Sequence, residues 1–292
     1  MDARAVSVGL DGCMRKAREW KRKRLMEEQE FDEAQFLRIN PEEQESFFDK
    51  KRKRESPLVF TIKVIMLIVS VFNIFVFTAY YRGVLSRAHR YADTDKDGVI
   101  NMRDNDIDGD SIPNMKDPDA NGSGRPNTED MLRAARGMIG MPYEQLMGAH
   151  KNIGFKLGGI VCIDLVNLAY EKAGIYFERE LRKFYKQKPY YFSYRKWNNP
   201  YDPDFARRVR NFRAYCRGKG FLLKKGEPLQ PGDLVIFGQG HIAIIEKVKG
   251  DDYTVIEASG KKYFTMRASK KDIYERSLER YGDAVYARIR YE

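Results

Sequence analysis

MIGMPYEQLMGAHKNIGFKLGGIVCIDLV, residues 138 to 166, ends by placing a cysteine, Cys162, where a helix should begin. From Cys162 onward, CIDLVNLAYEKAG sets Ile163, Val166, Leu168 or Ala169, and Ala173 on one apolar stripe of roughly 3.6-residue period, and Gly174 closes it as a C-cap. Gly158 and Gly159 allow a tight turn into that helix. A thiol in a first helical turn faces unpaired backbone N–H groups and the positive end of the helix dipole, which favours the nucleophilic thiolate.

A nucleophilic cysteine needs a base, and the chain has three histidines: His89, His150 and His241. His241 lies in PGDLVIFGQGHIAIIEKV, where residues 233–237 and 241–248 read as two strands rich in Val and Ile, joined at Gly238-Gln239-Gly240. His241 therefore heads a strand and can face Cys162 across a sheet-and-helix boundary. His150, twelve residues before Cys162 in a predicted loop, is the rival base. Residues 253–258 read as a third strand carrying Glu257, a carboxylate able to hold the imidazole in one tautomer. Asp164 could orient the histidine instead, or could cap the first turn of the Cys162 helix. In such a site His241 takes the Cys162 proton, the thiolate attacks an amide carbonyl, and backbone N–H groups at the helix start hold the oxyanion.

In this order, the residues resemble the NlpC-type cell-wall peptidases, a papain-like family of cysteine hydrolases. Gly140 to Tyr143, Cys162, Ala173-Gly174-Ile175, Pro231 to Leu234, Gly240-His241 and Glu257 match the family's elements in sequence, over about residues 127–292. The chain departs from the family at Val161-Cys162-Ile163-Asp164, where Asp-Cys-Ser-Gly is usual, at Glu257, where His is more common, and in a longer connection over 178–226. The resemblance implies an α+β papain-like domain, a Cys162-His241-Glu257 triad, Tyr143 lining the cleft beside the nucleophile, and peptidoglycan peptides as substrate; Asp164, two residues past the nucleophile, is read with Tyr143 as substrate-binding. For Tyr143 a core hydroxyl is the other reading.

The chain carries 53 Lys and Arg against 42 Asp and Glu, a net charge of +11, and residues 127–292 alone hold 31 against 20, the same surplus. Such a surface attracts an anionic polymer or membrane face. No nucleic-acid-binding motif is present, so an anionic envelope polymer such as peptidoglycan is the expected partner. The three cysteines, Cys13, Cys162 and Cys216, are too few for a disulfide framework. Cys216, in the helical run 205–216, reads as a packed apolar residue.

Residues 57–81 are nearly all apolar and long enough to cross a hydrocarbon core of roughly 30 Å. Lys63 is near enough to the basic end to snorkel, and Tyr80 and Tyr81 suit the far interface. The basic run at 50–54, against Arg82, Arg87 and Arg90 beyond the span, places the N-terminus in the cytoplasm. A single-pass plasma-membrane protein is expected, with residues 1–56 as a charged tail that is either solvated or docked on a cytoplasmic partner. Residues 82–92 form a juxtamembrane segment, and the C-terminal domain is periplasmic or extracellular.

Residues 93–126 hold a repeat. Asp93, Asp95, Asp97, Asn101 and Asp104 recur thirteen residues later as Asp106, Asp108, Asp110, Asn114 and Asp117, and a partial third copy reads from Asp117 through Asp119 and Asn121 to Gly122. Oxygen ligands at positions 1, 3, 5, 9 and 12 with a turn at 6 can wrap one hard cation. The pattern resembles thrombospondin type 3 calcium repeats, which implies structural calcium stiffening a spacer between membrane and domain. Residues 123–130 read as a short Gly/Ser/Pro linker with Asn127 or Thr128 capping a helix from about Glu129.

Residues 178–226 mix Phe184, Tyr185, Tyr190, Tyr191, Phe192, Tyr194, Trp197 and Tyr201 with Lys and Arg; they read as a wall of the substrate cleft or as aromatics packed on the domain. Residues 204–217 read as a basic helix and 282–291 as the last strand. Taken together, the sequence predicts a membrane-anchored cysteine hydrolase. Its competitors are a catalytically silent envelope-polymer binding module and a thioester acyltransferase or amidase acting on lipid or protein.

Overall fold

The computed structural model describes residues 57–144, 159–192, 196 and 198–291. His150, Tyr194, Trp197, Gly158, Cys13 and the charged tail lie outside the described residues. The chain falls into two units, Met1–Ser70 and Val71–Glu292. The apolar run forms helix α1, Pro57–Ala88, which continues past Tyr81; 22 of its residues, Pro57–Thr78, are apolar enough to cross a membrane. Its two threonine hydroxyls need no outside partner, because Thr61 Oγ1 donates to the Pro57 carbonyl and Thr78 Oγ1 to that of Ile74, each at 2.7 Å.

The remaining elements are α2 (Asn127–Gly137), α3 (Cys162–Lys172), α4 (Phe177–Gln187), α5 (Val209–Lys219), β1 (Leu234–Phe237), β2 (His241–Lys249), β3 (Asp252–Ala258), β4 (Thr265–Ser269), α6 (Lys270–Tyr281) and β5 (Ala284–Ala287). The strands form one antiparallel sheet in the order β4-β3-β2-β1-β5, so the fold is α+β. Its central strands read as unbroken apolar runs because both faces are covered. Leu234, Ile236, Ile242, Ile244 and Ile256 point to the side of α3, whereas Val235, Phe237, Ala243, Ile245 and Val255 pack with Ile273 of α6. A one-sided sheet would have alternated.

The stripe read on α3 predicts one buried face, but every residue from Cys162 to Glu171 is buried. Enclosure by α2, α4, β2 and β3 accounts for this. Strand β4 and helix α6 fall in a segment for which the sequence reading has no element. Helix α6 starts with a capping box: Asp272 N–H donates to Ser269 Oγ at 3.1 Å and Ser269 N–H to the Asp272 carboxylate at 3.4 Å.

Candidate functional site

Helix α3 begins at Cys162 because Asp164 accepts the Val161 N–H at 2.9 Å, half of a capping box whose other half a valine cannot make. Val161, Cys162 and Ile163 at this helix start line the cleft. Strand β2 starts at His241, directly after the glycine turn, and Cys162 Sγ lies 3.9 Å from the Gly240 carbonyl. Gly240 is required there: a Cβ would come within 2.4 Å of the Tyr281 ring. Tyr281 stacks on the His241 ring at 5.9 Å, with Phe237 at 6.2 Å on β1, so the imidazole is held in a plane.

His241 Nε2 and Glu257 Oε2 are 2.8 Å apart, and the Cys162 thiol bears on the imidazole from the helix side. With Nε2 engaged by Glu257, Nδ1 is the nitrogen left for the thiol. Burial by itself would lower the His241 pKa, but the bonds and negative charge of Cys162 and Glu257 prevail and raise it to about 9. Glu257 is fully buried, which would raise its pKa, yet the bonds to His241 and Arg276 hold it below the ordinary carboxylate range. The structure thus brings together Cys162, His241 and Glu257. His89 is elsewhere: it sits 3.8 Å from Glu171, at the far end of α3.

Asp164 is not among the residues that line the cleft. It is buried, and both its oxygens accept from Arg207, at 2.8 and 2.7 Å. Arg207 also pairs with Glu144 and comes from the long connection 178–226. Tyr143 is half-buried and lines the cleft on both sides of the thiol. Burial and the neighbouring Cys162 push its hydroxyl pKa up. On the Cys162 side the cleft is about 380 Å³ and is lined by Asp204, Arg207, Arg208, Arg210 and Gln239 among others; on the His241 side Lys261, Arg276 and Arg280 line a smaller hollow. Most of the described aromatics of the connection pack inward: Phe184 and Phe192 are buried and meet Tyr215 and Tyr185 edge-on, whereas Tyr190 and Tyr201 are exposed. Cys216 is buried, and burial pushes its thiol pKa up, as expected of a packed residue.

The acidic repeat forms three loops of one geometry. In each, the first Asp accepts the N–H of the sixth residue, Asp93 from Gly98, Asp106 from Ser111 and Asp119 from Gly124, at 3.0, 2.9 and 2.7 Å. That sixth residue has positive φ, at 92°, 74° and 78°. Asn101, Asn114 and Asn127, the ninth residues, accept backbone N–H groups of Thr94, Ile107 and Ala120, and Asn114 and Asn127 also donate to the carbonyls of Asp104 and Asp117 in the loop before. These asparagines frame the loops, a different use from the ligand positions read for Asn101 and Asn114. The third copy therefore runs Asp119, Asn121, Ser123, Gly124, Asn127, Asp130, two residues later than read, and the stretch read as a linker is its second half. Helix α2 starts at Asn127 without a side-chain cap.

The loops differ in what they can hold. Carboxylate oxygens of Asp93, Asp95 and Asp97 lie within 4.8 Å of one another, as do those of Asp106, Asp108 and Asp110. The twelfth residues, Asp104 and Asp117, are 6% and 3% exposed, and each has one Oδ2 with no hydrogen-bond partner among the described residues. Burial, and then the neighbouring carboxylates, raise the pKa of both. In the third loop Asp130 instead accepts from Ser123 Oγ, Arg125 Nε and Asn121 Nδ2, at 2.5, 2.6 and 2.9 Å. Internal donors satisfy that loop, and the guanidinium supplies its positive charge.

The region read as a spacer packs on the domain. Asn121 Nδ2 donates to the Lys172 carbonyl at the end of α3, Arg179 of α4 donates to the Asp104 carbonyl, and Arg90 pairs with buried Glu171 at 2.7 and 2.5 Å. A buried carboxylate on α3 needs a cation, and the segment that follows α1 supplies it. In comparison with known proteins, no family model and no curated protein matches this chain.

Proposed function

We propose that this protein is a membrane-anchored cysteine hydrolase of papain-like, NlpC-type architecture that cleaves amide bonds, with peptidoglycan peptides as substrate and a Cys162-His241-Glu257 triad. The observation that carries it is the imidazole of His241, held by Glu257 at 2.8 Å through Nε2, beside Cys162, which opens a buried helix with its Sγ 3.9 Å from the carbonyl of Gly240. The Cys162 thiolate attacks the carbonyl carbon while first-turn amides of α3 hold the oxyanion. As the C–N bond breaks, His241 gives its proton to the leaving amine; His241 then takes a proton from water, whose oxygen attacks the thioester and releases the acid and the thiol. Tyr143 shapes the cleft at the thiol, and Asp164 holds the helix start from behind.

The α1 helix would anchor the chain with its N-terminus in the cytoplasm and the domain outside. Calcium fits the first two loops: the buried, unpartnered oxygens of Asp104 and Asp117 call for a cation. Asp93, Asp95, Asp97 and Asp104 would hold one ion and Asp106, Asp108, Asp110 and Asp117 another. Bound there, calcium neutralises crowded carboxylates and stiffens the segment.

The test is digestion of purified peptidoglycan by the full-length chain in detergent micelles, with released amines identified by mass spectrometry and an acyl group sought on Cys162. Cys162→Ser and His241→Ala are expected to abolish release. Full activity in Cys162→Ala would sink the reading.

A further inference from the structure

Glu257 sits on β3 with no exposed surface, yet its carboxylate faces two cationic partners. One oxygen takes His241 Nε2. The other takes Nη2 of Arg276, which projects from α6 and steadies itself with an Nη1 bond to Ser259 Oγ at 3.3 Å. Arg276 is one turn past the Asp272 cap and flanks the hollow on the His241 side, so its place is set by the same capping box that starts the helix.

Around the imidazole, the ionisable groups are Cys162 from α3, Tyr143 from the segment before it, Glu257 from β3, and Arg276 and Tyr281 from α6; Lys261 and Arg280 lie farther out in the hollow. The two tyrosines stay neutral at working pH, since burial pushes both hydroxyls up. The charges that remain at the centre are those of four groups.

We propose that Arg276 is a positioning residue of this site, holding Glu257 ionised and fixed so that thiolate, imidazolium, carboxylate and guanidinium form a buried cluster with no net charge. This rests on the cysteine-hydrolase reading and deepens it. A buried cluster with a surplus charge is costly and relieves itself by gaining or losing a proton. Without the guanidinium, two anions face one cation, and the cluster takes up a proton on Cys162, because Glu257 keeps its bond to the imidazole. That proton leaves the thiolate–imidazolium pair less populated. Without the Glu257 charge alone, the surplus is positive and the imidazolium is the group that yields. Removing both restores the balance.

The experiment is pH-resolved iodoacetamide labelling of the full-length chain in detergent micelles, read at the Cys162 peptide by mass spectrometry, with near-UV circular dichroism to verify folding. In Arg276→Met the acid limb of Cys162 labelling is expected to move up by about one pH unit, equivalent to roughly tenfold slower labelling on that limb. Arg276→Lys, which keeps the charge, is expected to stay near the parent profile. In the double variant Glu257→Gln/Arg276→Met the limb is expected to return toward the parent position, a reversal that a merely structural arginine would not produce. A parent-like profile in Arg276→Met, or a double variant shifted farther than the single one, would overturn the proposal. If the parent Cys162 labels like that of His241→Ala, the hydrolase reading itself fails and this proposal with it.

Discussion

Replacing Glu257 by Gln keeps its volume and removes the charge opposite His241. The His241 pKa is raised from an ordinary 6.5 to about 9, and at ~1.4 kcal/mol per pH unit this is about 3 kcal/mol in favour of the imidazolium in the folded protein. Cys162 shares in it, so Glu257→Gln should remove on the order of 2 kcal/mol. Because the folded value lies above the unfolded one, that stabilisation is complete below pH 6.5 and is lost as the pH rises through about 9. Glu257, held low by His241 and Arg276 against its burial, stabilises the fold above the ordinary carboxylate range and loses that contribution in acid. Both contributions are therefore present near pH 6. For a domain of this size, on the order of 2 kcal/mol is about 4–8 °C in melting temperature. Thermal unfolding of the full-length chain in micelles, with calcium held constant, should show the variant's deficit at pH 6 exceeding that at pH 9.5 by about this amount. A remainder persists at both pH values, because Arg276 has lost its carboxylate. An equal deficit at pH 6 and pH 9.5 would refute the reasoning, since the cost would then be one of shape and not of charge.

Arg207→Met leaves Asp164 and Glu144 buried without their shared cation and is expected to cost about 3–5 kcal/mol, measured by denaturant unfolding. If calcium fills the first two loops, a hundredfold excess over its Kd stabilises by ~2.7 kcal/mol per site; a chelator should lower the melting temperature, and Asp117→Asn should lose the second loop's share of that response. Arg125→Met should lower it too, but by the same amount with and without chelator, because Arg125 serves Asp130 in the loop that is satisfied internally. Gly240→Ala must displace the Tyr281 ring from His241, and Cys162 labelling at pH 7 is expected to fall with little loss of stability.

Much of the centre could be read from the chain. A cysteine at a helix start, a histidine after a glycine turn and a carboxylate on the next strand are local features, each written in spacing and turn chemistry, and the structure places all three together. The paired acidic loops were legible for the same reason, since a thirteen-residue repeat is a local pattern. The third loop was harder. Ser123 and Gly124 stand where the earlier copies have Asp97-Gly98 and Asp110-Ser111, and Asp130 already belongs to α2. Arg276 left one trace, the Ser269-x-x-Asp272 cap that announces α6, but nothing in the sequence says which carboxylate its side chain would meet.

What the sequence alone determined was most of the elements around the centre and the chemistry each one carries, because helix caps, strand runs and repeats depend on neighbours within a few residues. Only the tertiary structure decided which charges meet. Arg207 reaches Asp164 and Glu144 across 43 and 63 residues, Arg90 reaches Glu171 across 81, and Arg276 reaches Glu257 from the far end of the β3-β4 hairpin. Buried carboxylates must find cations to be tolerated, yet that requirement has no period and no spacing. It is met wherever packing happens to bring a long basic side chain within reach.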